Sequence, residues 1–271
     1  MAYALRDGAR IYWTALGKGD PLVLIMGLGC SSAMWFRMAP LLARRHRVIL
    51  LDNRGAGRTE KSHFIVHSVA AMAEDVGAVL DAAGVESAHV AGFSMGGMIA
   101  QQFALMHPRR VRSLALLATH CGRPFAVMAE DDVVRLLLAK GDLTAEQALE
   151  AMRPFTYAAR TPQSLIEEDS LVRLAHYPDR RNYQAQLFGI MAWTSWHALP
   201  ALACPALVLH GLEDRLIPPE NARLLAQRIP QARLVELDHA SHWLMTDQLE
   251  RSLGALFDFL APFRRSRAAR G

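Results

Sequence analysis

The chain has 271 residues, 52% of them hydrophobic and 21% charged, enough apolar material for one α/β domain or two small ones. Its net charge of +4 gathers in Arg264, Arg265, Arg267 and Arg270, a short tail read as a solvated terminus, so no basic face for nucleic acid is expected. Three scattered cysteines (Cys30, Cys121, Cys204) exclude a disulfide framework, and the N-terminal residues lack a secretory h-region while no run reaches membrane-spanning length. A soluble, cytoplasmic protein is expected, with neither membrane nor nucleic acid as a partner; a homo-oligomer is left open.

In chain order, short apolar runs predict strands at 3–7, 10–16, 21–26, 46–52 and 88–93. A helix-like run follows from Gly97, with Ile99, Phe103 and Met106 on one stripe, and stops at Pro108. A sixth strand is predicted at 112–118. From Arg123 to Trp196 four helical patterns follow one another without a strand. Strands resume at 205–210 and 232–237, and a last helix carries Leu249, Leu253, Leu256, Phe257 and Leu260. The alternation predicts an α/β fold, a parallel sheet with helices on both faces. No internal repeat or low-complexity segment interrupts it.

Between the fifth strand and its helix stands Gly92-Phe93-Ser94-Met95-Gly96, a G-x-S-x-G pattern in a strand-to-helix setting. A turn sharp enough to raise a serine hydroxyl above a sheet crowds its neighbours, and glycines remove the Cβ atoms that would clash. The helix N-terminus then points amides at the place where negative charge develops. A nucleophilic serine needs a base, and the base needs an acid to orient it. Asp214 follows the seventh strand; His239 and His242 follow the eighth. All lie at the carboxyl ends of strands, where open parallel sheets place their sites.

With these motifs in place the chain resembles the α/β-hydrolase superfamily over nearly its whole length. Met26-Gly27-Leu28-Gly29 is similar to the family's His-Gly-x-Gly oxyanion loop, with Met26 replacing the histidine. Asp52-Asn53-Arg54-Gly55-Ala56-Gly57-Arg58-Thr59 matches its D-x-R-G-x-G-x-S turn, and Gly92 to Met98 its nucleophile elbow. His210 to Pro218 matches the acid loop, whose spacing selects Asp214 over Glu213. Ser241-His242 stands where the family has Gly-His, which selects His242 over His239. The closest flavour is the group of small-molecule esterases, enol-lactonases, C–C hydrolases and cofactor-free haloperoxidases.

The resemblance implies a mostly parallel eight-stranded sheet with a helical lid inserted after the sixth strand. The core domain would comprise 1–122 and 197–271, and the lid 123–196. It implies the catalytic residues Ser94, Asp214 and His242, with the backbone N–H groups of Leu28 and Met95 as oxyanion hole. Asp52 and Arg54 are expected to serve in an internal ion pair and in loop hydrogen bonds. Among the lid's bulky residues (Phe125, Met128, Phe155, Tyr157, Phe188, Met191, Trp193, Trp196), two or three would line a cavity for a small, largely apolar substrate. Cys30 and Cys121 are expected at its edge or in the core. No cofactor is called for, and the histidine spacing gives no metal motif. The expected reaction is ester or lactone hydrolysis through an acyl-enzyme. C–C bond hydrolysis, thioester hydrolysis and perhydrolysis use the same three residues, and a non-catalytic ligand receptor on the same fold is the alternative of another class.

Overall fold

The computed structural model describes residues 2–60 and 67–263, so the basic tail from Arg264 onward lies outside the described residues. Its strands are β1 (Ala2–Arg6), β2 (Ala9–Leu16), β3 (Asp20–Ile25), β4 (His46–Leu51), β5 (Ala88–Phe93), β6 (Val111–Leu117), β7 (Ala206–Gly211) and β8 (Ala232–Leu237). Every predicted strand is present, with ends displaced by no more than one residue. They form one sheet in the order β1-β2-β4-β3-β5-β6-β7-β8. β1 and β2 are antiparallel, joined at Asp7-Gly8, where both residues take the left-handed φ (47° and 74°) of a two-residue hairpin. β2 also runs antiparallel to β4, and every pairing from β4 to β8 is parallel.

Register brings the carboxyl ends side by side. Ile25 sits beside Leu51 and Gly92, Phe93 beside Leu117, Leu117 beside Leu209, and Gly211 beside Leu237. The loops after β3, β5, β7 and β8 therefore open at one edge.

Alternation along the strands divides the core in two. Val23, Ile25, Ile49 and Val90 pack with α2 (Val69–Ala82), α3 (Met95–Met106) and α8 (Glu220–Arg228). Leu22, Leu24, Leu50 and Phe93 pack on the other face with Leu42 of α1 (Ala39–Leu42), Leu244 of α9 (Leu244–Asp247) and Leu253 of α10 (Leu249–Leu260). Both faces of the sheet are thus covered, as continuous apolar strands require.

Between β6 and β7 the chain makes α4 (Asp131–Ala139), α5 (Ala145–Thr156), α6 (Gln163–Leu174) and α7 (Arg180–Met191). Thr144 and Gln147 close a reciprocal cap on α5, and Asp179 accepts from Asn182 at the start of α7. Among the described residues no helix is long and apolar enough to cross a membrane.

Candidate active site

Ser94 is the hinge between β5 and α3, at φ 56° and ψ −121°. That conformation is costly for a residue with a Cβ, on the order of 1–3 kcal/mol, and it persists because its surroundings fix it. The Ser94 amide donates to Leu117 O at 2.9 Å, and its carbonyl accepts from Gly97 N at 2.9 Å and Thr119 Oγ1 at 2.7 Å. The flanking glycines are required by space. A Cβ on Gly92 would overlap the Gly96 carbonyl, and one on Gly96 would overlap the Ile25 carbonyl.

Across the sheet edge, His242 Nδ1 lies 2.8 Å from Asp214 Oδ2, both groups buried. The other oxygen, Oδ1, accepts from Leu216 N at 3.0 Å and Ile217 N at 2.8 Å. His210 Nε2 lies 3.3 Å from Oδ2 and 2.8 Å from Ile217 O. Burial by itself pushes the Asp214 carboxyl up, but His242 and His210 outweigh it and hold the pKa at about 2. The carboxylate therefore stays charged and accepts from His242 Nδ1, which orients the ring and leaves Nε2 as the other nitrogen.

His239 and Glu213 are elsewhere. His239 is half-exposed, 3.4 Å from Glu213 Oε1 and 3.4 Å from Arg160. Ser241, in place of the family's glycine, donates its amide to Asp247 Oδ2 at 2.7 Å and its hydroxyl to Glu213 O at 3.0 Å.

The loop after β3 runs close to the serine; a Cβ on Gly27 would stand 3.0 Å from Ser94 Cβ. Two buried amides that the sequence did not single out hold this loop. Asn53 Nδ2 donates to Met26 O at 2.8 Å. Gln186 of α7 accepts from Gly29 N at 2.8 Å and donates to Arg54 O at 2.6 Å. Among the described residues the Leu28 and Met95 amides make no hydrogen bond.

Asp52 and Arg54 do not pair with each other; the expected ion pair and loop hydrogen bonds run to other residues. Asp52 takes Ser32 N and Oγ at 2.6 Å and Arg58 N at 2.7 Å, whereas Arg54 forks onto Asp75 at 2.5 and 2.8 Å.

Ser94, His242, Leu28 and Met95 line one cavity of about 140 Å³. Asp214 lies behind His242, off the cavity wall. Ser94 and His242 have no hydrogen bond between their side chains, a looseness that such pairs often show before substrate tightens them. Of the eight bulky residues named for 123–196, Met128 and Met191 line the cavity. Of the other six, Phe125 stacks on Trp196, Trp193 Nε1 donates to Gln102, Tyr157 donates to Asp169, Phe155 lies under the Arg215 guanidinium, and Phe188 is exposed. Cys30 is on the wall, and Cys121 is buried away from it.

His120, after β6, also lines the cavity. Its Nδ1 accepts from Gly122 N at 2.9 Å, so the proton of the neutral ring is on Nε2. Burial, then the positive ends of His210 and His242, lower its pKa to about 4, so it is neutral at pH 5–8. Nothing in its local sequence marked it, because its position depends on where β6 ends relative to β5. Among the described residues no three His, Cys, Asp or Glu side chains are grouped to hold a metal ion.

Residues 20–141 and 130–248 match the family model described as alpha/beta hydrolase fold. Over 246 residues the chain is 34% identical to RutD of Azorhizobium caulinodans, a protein named for carbamate hydrolysis, covering 89% of this chain and 91% of that one. It is 32% identical over 237 residues to the pimeloyl-[acyl-carrier protein] methyl ester esterase of Aeromonas hydrophila, covering 83% and 89%. Among solved structures, a thermophilic esterase from Thermogutta terrifontis, determined with malate bound, matches with a TM-score of 0.83 at 26% identity, covering 97% of this chain and 98% of that one.

Proposed function

The chain belongs to the α/β-hydrolase fold family, and from that premise we propose that it is a serine hydrolase cleaving a small, largely apolar ester or lactone through an acyl-enzyme. The observation that carries the reading is the arrangement at one cavity: Ser94 on its strained turn, with His242 on the same wall and Asp214 2.8 Å behind it. In this reading Ser94 Oγ attacks the carbonyl carbon while His242 Nε2 takes its proton. Asp214 keeps Nδ1 protonated and stabilises the imidazolium. The Leu28 and Met95 amides receive the oxyanion, each worth about 3–4 kcal/mol where such a donor has been removed elsewhere. His242 then protonates the leaving alkoxide, and a water molecule, deprotonated by the same ring, releases the acid and restores Ser94. The helices between β6 and β7 act as a lid that excludes bulk water. A cavity of about 140 Å³ suits an acyl group near benzene in size.

The test is a turnover screen across esters, lactones, thioesters, carbamates and vinylogous diketones, combined with a fluorophosphonate. The expected outcome is one label per chain at Ser94 and release of acid from at least one small ester or lactone. Labelling without turnover of any acyl compound would move the reading to a receptor or, if the diketone is cleaved, to a C–C hydrolase. Neither labelling nor turnover in folded protein would overturn the serine-hydrolase reading.

A further inference from the structure

The cavity beside Ser94 is apolar for most of its wall, yet it has cations and no acid. Lys140, Arg173 and the exposed Arg123 line it, and among the described residues no aspartate or glutamate does. Lys140 is 6% exposed. Neither Lys140 nor Arg173 forms an ion pair among the described residues. The acids around them are taken: Asp142 by Arg180 at 2.7 Å, Glu168 by Arg37 at 2.9 Å, and Asp169 by Arg37, Tyr157 and Thr246.

What the two cations do touch is aromatic. Lys140 Nζ stands 5.0 Å from the Tyr183 ring centre and 5.8 Å from that of Tyr177, and the Arg173 guanidinium 5.1 Å from the ring of Trp243, the neighbour of His242. Ring faces attract cations, but by less than burying a charge costs. Tyr177 adds a hydroxyl that is buried with no hydrogen-bond partner among the described residues. Burial, with Arg173 nearby, lowers the Lys140 pKa to about 8, which leaves it mostly protonated at neutral pH. Lys140 therefore brings positive charge to the wall with no carboxylate beside it among the described residues, and Arg173 has only the longer-range Asp169, an acid already held by Arg37.

We infer that Lys140 and Arg173 form the receptor for a carboxylate on the substrate, so that the ester or lactone opened at Ser94 is itself a small acid. This rests on the serine-hydrolase reading above. The planar fork of Arg173 suits a carboxylate's two oxygens, with Lys140 as a second point charge. The product of each turnover would then carry two carboxylates, one released from Ser94 and one held by the cations.

The experiment compares methanol release from monomethyl succinate, glutarate and adipate with release from methyl butanoate, pentanoate and hexanoate, their neutral counterparts of equal acyl length. At the best length the acid ester should win in kcat/KM by about tenfold or more, the scale of a hydrogen bond to a charged group. In Lys140→Met and in Arg173→Gln that ratio should fall toward one, and Lys140→Arg should keep part of it. Free glutarate should inhibit competitively, and pentane-1,5-diol should not, a readout that needs no variant to fold. If the neutral esters are turned over as fast as the acids at every length and glutarate does not inhibit, the receptor is overturned and the hydrolase reading stands. If no ester is turned over but glutarate binds by calorimetry, the receptor stands, and the hydrolase reading falls only if the fluorophosphonate label and the wider acyl screen are negative too. Absence of both overturns the receptor, and absence of the Ser94 label and of all acyl turnover as well overturns the hydrolase reading.

Discussion

Ser94, His242 and Asp214 make separable predictions because each has a different local job. Ser94→Ala removes the attacking oxygen without touching the backbone bonds that hold the turn, so kcat should fall about a million-fold while circular dichroism and melting stay near wild type. His242→Ala should be nearly as damaging. His239→Ala should be mild, since that ring is half-exposed beside Glu213 and Arg160; the reverse ranking in kcat would move the base to His239. Asp214→Asn should cost on the order of ten-thousand-fold in kcat, and it carries a pH signature. Its folded pKa of about 2 lies below the unfolded value, so its stabilisation is fully present above pH 4 and disappears as pH falls through 2. The gap in unfolding free energy between wild type and Asp214→Asn, on the order of 2–3 kcal/mol at pH 6, should therefore close between pH 4 and pH 2. A gap that stays constant over that range would contradict it. These three residues were legible because each sits at a fixed offset from an apolar strand. His120, Gln186, Lys140 and Arg173 were not, because a polar residue in a helix or loop reads as solvated until packing shows otherwise.

Elements were read with unequal success for a physical reason. A buried strand is a short apolar run whose ends are punctuated by glycine or charge, and β1 and β2 flank an Asp-Gly hairpin turn, so all eight were found to within a residue. A helix of the insertion shows several apolar faces, and which of them meets the cavity is decided by neighbours far away in sequence. The eight residues chosen for bulk therefore gave two wall residues, while Val133, Leu137, Leu187 and Ile190, none of them aromatic, form wall that was not foreseen. Two predictions belong to this scale. Gly96→Ala places a methyl group on the Ile25 carbonyl, so the strand-to-helix joint must shift; expression as folded protein, or activity if folded, should be lost. Gln186→Ala unties α7 from the loop after β3 and leaves the buried Gly29 amide and Arg54 carbonyl unpaired. It should lower stability on the order of 1–3 kcal/mol in denaturant melts. It should also lower kcat more than it raises KM, because the Leu28 amide next to Gly29 loses its placement.

At the scale of the molecule, the insertion is fastened on both sides: α7 holds the loop after β3 through Gln186, and Val127 exchanges two hydrogen bonds with Asn221 of α8. On the α5–α6 side it is tied to the loop bearing His242: Trp243 N donates to Thr156 O at 2.9 Å, Thr246 Oγ1 to Asp169 at 2.6 Å, and Thr161 Oγ1 to Asp247 at 2.6 Å. Opening that side would pull the base away from Asp214. On the α4–α7 side the cavity wall reaches the surface through Val127, Met128, Leu138 and Met191, each about 40% exposed. On the proposed reading, substrate would enter by this apolar portal while the chemistry stays assembled behind it. Guests would then be sorted in transit, by girth and by readiness to shed water, before any bond is at stake. Narrowing the passage with Met128→Trp should slow capture of wide esters, lowering kcat/KM, yet leave kcat for a methyl acetate-sized guest within about twofold. An equal loss for narrow and wide guests would place the doorway elsewhere. The enzyme would thus hold two independent dials, admission and reaction, and its diet can change at the doorway without disturbing the residues that break the bond.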